Sequence, residues 1–292
     1  MSNALDTVSN SPTYENGSTA SKDGTTIGYR QLGRGPGLIL VHGGMKSSQD
    51  FMKLAKILSD AFTVYVPDRR GRGLSGSYGD HFSIMREVED TQALMAKTGA
   101  YSLFGLSGGG LVVLRTTLAT PTVQKAAVYE LPLSINNSTP LAWVPRYERE
   151  MARGKLAAAV VTAMKGIDTE PLFSKLPRFA LVPLMALIMK LQGRPTGDDV
   201  TIRSLVPTMH FEVQNINEMR DTLEDYRSLR TPVLILGGGK SPPFLGTALD
   251  GLEVTLPSVT RKTFPMLGHD GPEDDGRPDL IARELKQFFL AG

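Results

Sequence analysis

The residues best placed to do chemistry are Gly105-Leu106-Ser107-Gly108-Gly109, with a short apolar run (101–104) before them and GLVVLRTTLA (110–119) after. Read as a buried strand and a helix, the flanks make this pentapeptide a sharp strand–turn–helix junction. Such a turn forces the serine backbone into strain, and glycines on either side let neighbouring chain approach without a Cβ clash. Ser107 Oγ would then stand at the top of the strand, with the Gly108 N–H pointing at whatever Oγ attacks. A serine hydroxyl is a poor nucleophile without a base beside it. The chain has no cysteine and four histidines, His42, His81, His210 and His269. The plainer reading of the pentapeptide is a tight turn whose serine caps the following helix.

These residues need elements to hold them. Strand signals fall at 25–30, 38–41, 63–66, 101–104, 124–129, 232–236 and 259–264, several of them fully apolar and so suited to a sheet covered on both faces. Helical patterns lie between them at 49–58, 82–97, 110–119 and 243–252, and a last helix opens at Pro278-Asp279 to bury Ile281, Leu285, Phe288 and Phe289. Strands separated by helices predict a mostly parallel α/β sheet with helices on both faces. The alternation breaks between Ser134 and Asn215, which reads as a helical insertion carrying the large apolar residues Trp143, Phe179, Met185, Leu187, Met189 and Met209. Residues 1–21, rich in Ser, Asn and Thr, read as a flexible tail ahead of a domain at 22–292.

Composition narrows the partners. The net charge is +2 with both signs mixed, which gives no case for nucleic acid or an anionic membrane. Without cysteine there are no disulfides, thiol catalysis or cysteine-ligated metals. With no apolar leader and no run long enough to span a bilayer, the expectation is a cytoplasmic monomer or homodimer that needs no cofactor.

Four signatures occur in order: the strand ending in His42-Gly43-Gly44, the loop Asp68-Arg69-Arg70-Gly71-Arg72-Gly73, the Ser107 pentapeptide, and Gly268-His269 after the last strand. On these residues the chain resembles the α/β-hydrolase superfamily over nearly all its length outside the tail. The resemblance implies a sheet of about eight strands, with the insertion as a helical cap after the sixth. It makes Ser107 the nucleophile and His269 its base, and it places the oxyanion donors at Gly44 and Gly108. The loop at 68–73 is implied to be structural, with Asp68 and an arginine tying adjacent loops together. The third member of the triad departs from the usual pattern, because Ser241 stands where an Asp is expected. Some superfamily members take the acid from the end of the preceding strand, and Glu130 sits there. A carboxylate so close to buried strand residues needs a partner.

A serine at the nucleophile position argues against dehalogenation and epoxide opening, which in this superfamily use a carboxylate. The expectation is a serine hydrolase cleaving an ester, lactone or related acyl bond of a largely apolar small molecule. Ser241 in place of an acid motivates the alternative, a non-hydrolytic catalyst or small-molecule binding protein using the same pocket.

Overall fold

Eight strands pair edge to edge in the computed structural model, which describes residues 14–169, 175–193 and 198–291. They are β1 (Glu15–Ala20), β2 (Thr26–Leu32), β3 (Gly37–Val41), β4 (Thr63–Pro67), β5 (Ser102–Leu106), β6 (Lys125–Tyr129), β7 (Val233–Gly238) and β8 (Val259–Phe264). Their order across the sheet is β1-β2-β4-β3-β5-β6-β7-β8. The β1–β2 and β2–β4 pairs are antiparallel and the rest are parallel.

Alternate side chains along each central strand feed opposite faces, as the two-residue strand period dictates. Ile39, Val41, Leu103, Val128 and Ile235 pack into one layer with helices α2 (Ile84–Thr98), α3 (Gly108–Ala119) and α9 (Pro243–Thr255). Leu38, Leu40, Phe104, Ala127 and Leu236 pack into the other with α1 (Met52–Leu58) and α10 (Pro278–Leu290). Both faces are therefore covered, which is why these strands read as unbroken apolar runs. Within α10, Ile281, Leu285 and Phe289 are buried and Phe288 is half-buried.

Between β6 and β7 the described chain is helical: α4 (Val144–Ala152), α5 (Leu156–Ile167), α6 (Arg178–Leu191), α7 (Ile202–Leu205) and α8 (Met209–Glu218). These helices share a core of their own around Trp143, Tyr147, Val160, Met185 and Met209. The segment leaves and rejoins the body where the Asp221 N–H donates to Ser134 O at 2.9 Å. The last of these helices, α8, runs past Asn215 to Glu218. No helix among the described residues is long and apolar enough to cross a membrane.

One boundary differs more. Residues 15–20, expected within a flexible tail, form β1, an edge strand in register with β2 from Glu15↔Gln31 to Ala20↔Thr26. Its sequence, ENGSTA, leaves most side chains exposed. Its ladder with β2 does not depend on apolar side chains, so it carries no apolar alternation to read.

Candidate active site

The turn after β5 is as tight as its glycines suggest. Ser107 sits at φ 55°, ψ −123°, and its N–H donates to Tyr129 O at 3.0 Å, which moors the turn to β6. A Cβ at Gly105 would overlap the Gly109 carbonyl oxygen, and one at Gly109 would overlap the carbonyls of Val41 and His42. Only glycine lets β5, β3 and the start of α3 approach so closely. Ser107 makes no side-chain capping bond to α3, so the helix-cap reading finds no support.

Glu130 follows β6 directly. It is 2% exposed and held at φ 45°, a left-handed conformation costly for any residue but glycine. Three donors converge on its carboxylate. Oε1 accepts the Gly238 N–H at 2.5 Å, and Oε2 accepts Ser241 Oγ–H at 2.8 Å and the His269 ring at 2.8 Å through Nδ1. Because the carboxylate only accepts, the imidazole must carry its proton on Nδ1, which leaves Nε2 a free lone pair.

The histidine loop is pressed against the sheet by the same features. Tyr129 Oη donates to Gly268 O at 2.7 Å, and the Lys240 N–H donates to Leu267 O at 2.9 Å. A Cβ at Gly238 would come within 2.8 Å of Gly268 O. A Cβ at Gly239 would likewise overlap the Pro265 backbone, whereas one at Gly237 would meet Leu249 Cδ1 at 2.7 Å, so the last two glycines of the run are the ones the loop requires. Ser241, at the position where an acid is expected, donates to the acid instead.

Ser107 and His269 both line one cavity of about 550 Å³, together with Gly44 and Gly108. Among the described residues no hydrogen bond joins Ser107 Oγ to the imidazole, and such a contact can tighten when substrate binds. The roof comes from the inserted helices. Trp143, Met185 and Met209 line the cavity, as do Val160, Met164 and Ile188. Three other expected roof residues do not. Met189 is buried in the core of the inserted helices, and Phe179 and Leu187 are 81% and 51% exposed. Helical periodicity is the reason: the turn of α6 that points Met185 and Ile188 inward points Leu187 outward.

The remaining histidines have other work. His42 is fully buried; its Nδ1–H donates to Gly43 O at 2.9 Å and its Nε2 accepts the Arg69 N–H at 3.1 Å. Burial first, then the Arg72 and Arg69 cations, holds its pKa well below the usual histidine range. His81 is exposed ahead of α2, and His210 is exposed and bonded to Glu148 at 2.8 Å.

The charged loop after β4 is a buried brace. Asp68 accepts from Arg30 Nη1, Ser48 N and Leu74 N at 3.1, 2.7 and 2.9 Å. Arg70 is bonded to Asp90 and Asp23, and Arg69 to Glu87. Sequence reading missed one member of the site. Glu212 of α8 is 4% exposed, lines the cavity and takes Arg72 Nη2 at 2.5 Å and Arg69 Nη1 at 2.8 Å. Its partners lie about 140 residues away along the chain, beyond anything spacing can show. Glu273 also lines the cavity, and its burial pushes its pKa up against the pull of Lys46, its ion-pair partner.

Comparison with known proteins agrees with this architecture. The model of the alpha/beta hydrolase family matches residues 38–284, and the chain belongs to that family. It is similar to 2-(acetamidomethylene)succinate hydrolase of Mesorhizobium japonicum, at 23% identity over 267 residues, 91% of this chain and 92% of the relative. Among solved structures it is similar to an alpha/beta hydrolase of Sphaerobacter thermophilus, with a TM-score of 0.73 and 26% identity over 94% of this chain and 100% of that one. It also shares its fold with the naproxen esterase of Bacillus subtilis, with a TM-score of 0.67 and 17% identity over 95% and 92% of the two chains.

Proposed function

We propose that this protein is a serine hydrolase that cleaves an ester or related acyl bond of a largely apolar small molecule. The observation that carries the reading is the chain of contacts from Glu130 to the His269 Nδ1 edge, with the imidazole facing the cavity that Ser107 also lines. In this reading Ser107 Oγ attacks the carbonyl carbon and its proton passes to His269 Nε2. The oxyanion is held by backbone N–H groups at Gly44 and Gly108. The proton then goes to the leaving group as its bond to the acyl carbon breaks. Water, deprotonated by the same nitrogen, adds to the acyl carbon, and as the bond to Ser107 Oγ breaks the imidazolium returns that proton to Oγ, releasing the acid and the free enzyme. Glu130 keeps the imidazole in the required tautomer and stabilises its cation.

The alternative of a non-hydrolytic catalyst or binding protein drew on Ser241 standing where an acid is expected. Ser241 instead donates to Glu130, so that motive weakens. A fluorophosphonate probe tests the proposal: intact protein should be labelled at Ser107 and Ser107→Ala should not. Folded wild-type protein that stays unlabelled, with activity on its own substrate surviving Ser107→Ala, would overturn it.

A further inference from the structure

Glu212 is placed oddly for a purely structural carboxylate. Its Oε1 takes both guanidinium bonds, from Arg72 and Arg69, which fixes the side chain. Its Oε2 is turned to the serine turn: a Cβ on Gly108 would overlap that oxygen and lie 3.2 Å from Arg69 Nη1, and one on Gly44 would lie 3.1 Å from Glu212 Cγ and 3.7 Å from Oε2. The carboxylate thus stands beside both backbone positions proposed to hold an oxyanion. Elsewhere the cavity wall carries Asp270, Glu273 and Asp275 against Lys46 and His269, and Lys46 is itself paired with Glu273 and Asp50.

The two guanidiniums offset much of its charge, but a carboxylate oxygen presents only lone pairs, so toward a developing oxyanion Oε2 sets acceptor against acceptor. A substrate carrying an N–H or O–H donor beside its carbonyl reverses the sign. The donor lies between the two negative groups and bonds to Glu212. A charge-assisted bond of this kind is about twice as strong as a neutral one. A substrate carboxylate at the same place meets Glu212 directly.

We infer that Glu212 is a specificity-determining residue that selects acyl substrates bearing a hydrogen-bond donor, best a cationic one, one or two bonds from the scissile carbonyl, and rejects those bearing a carboxylate there. The inference rests on the acyl-hydrolase reading for its chemistry. Its selectivity can be read separately, by binding.

The test uses three matched esters: ethyl norleucinate with its α-ammonium, ethyl hexanoate with no donor, and the monoethyl ester of butylmalonic acid with an α-carboxylate. Wild-type kcat/KM should fall in that order. Glu212→Gln keeps an oxygen for the arginines and removes the charge. It should lower kcat/KM on the norleucine ester about tenfold, the scale of one charge-assisted bond, and raise it on the other two. A structural role would lower all three together, and that result overturns the inference, as does a wild-type enzyme that turns over the malonate monoester as readily as the norleucine ester. Thermal unfolding of Ser107→Ala with each ester separates this from failure of the hydrolase reading. The norleucine ester should raise Tm most and the malonate monoester least; equal shifts overturn the selectivity even where no ester is cleaved.

Discussion

At the scale of single residues, the candidate site turns on how many donors one carboxylate can satisfy. Glu130 receives an N–H, an O–H and an imidazole N–H on its two oxygens. A glutamine has one acceptor oxygen, so Glu130→Gln would set an amide N–H₂ against at least one of those donors. The imidazole would then be free to turn its lone pair to the acid side. We expect kcat to fall about 10³- to 10⁴-fold, the loss seen when other triads lose their acid, with the fold intact by circular dichroism. Ser241→Ala removes one neutral donor and leaves the imidazole bond, so kcat should fall only about threefold to tenfold. Steady-state kinetics on any ester the wild type cleaves will rank the two; equal losses would mean that Ser241, not Glu130, sets the tautomer. Ser107 and its glycines were legible because a strained turn leaves a local pattern. Glu130 was legible only through its place at a strand end together with the resemblance. Glu212 was not legible at all: its neighbours in α8 are ordinary, and its meaning comes from Arg69 and Arg72, which the fold brings to it.

At the scale of elements, the sequence showed those whose burial repeats with the backbone period. Seven strands and the helices between them carry that pattern, while β1 pairs along β2 with mostly polar, exposed side chains and has none to show. Loops are read least well, yet here two of them are clamped by one side chain. His42, just past β3, bonds its own loop and the start of the charged loop after β4. That clamp works only while the ring is neutral, since its Nε2 must accept the Arg69 N–H. Its folded-state pKa is depressed by burial and by two nearby arginines, whereas the unfolded chain takes up a proton near 6.5. Below that pH the unfolded state alone binds the proton, so stability is present above it and drains away as the pH falls. The slope reaches about 1.4 kcal/mol per pH unit for one such group. Urea unfolding at about pH 7 and about pH 5.5 should show wild type losing roughly 1 kcal/mol more than His42→Gln over that interval. Parallel losses in the two proteins would mean that the folded ring takes up the proton after all.

At the scale of the whole molecule, the question is whether the inserted helices and the sheet are one cooperative body. The helices have their own core, which argues for independence. Against it stands a row of polar ties across the junction, those of Glu212 and Asn215 buried. Arg69 and Arg72 hold Glu212, Asn215 Nδ2 donates to Glu87 Oε2 at 2.6 Å, Gln214 Nε2 donates to Phe82 O at 2.7 Å, and Glu218 accepts the Ile84 N–H at 2.8 Å. A further pair joins Asp198 to Arg30 on β2. Releasing the helices would break all of these ties together and open the apolar wall of the cavity to water. Separate melting should therefore cost more than joint melting. The chain offers a direct probe, because its single tryptophan, Trp143, lies in the core of the inserted helices, edge-on to Tyr147 at 5.7 Å. Trp143 fluorescence reports those helices, and far-ultraviolet circular dichroism reports the whole chain. We expect the two signals to trace one urea transition with a common midpoint. A fluorescence change completed well before the circular dichroism change would show the roof coming off an intact sheet, and the ties would then be too weak to hold the cavity closed on their own.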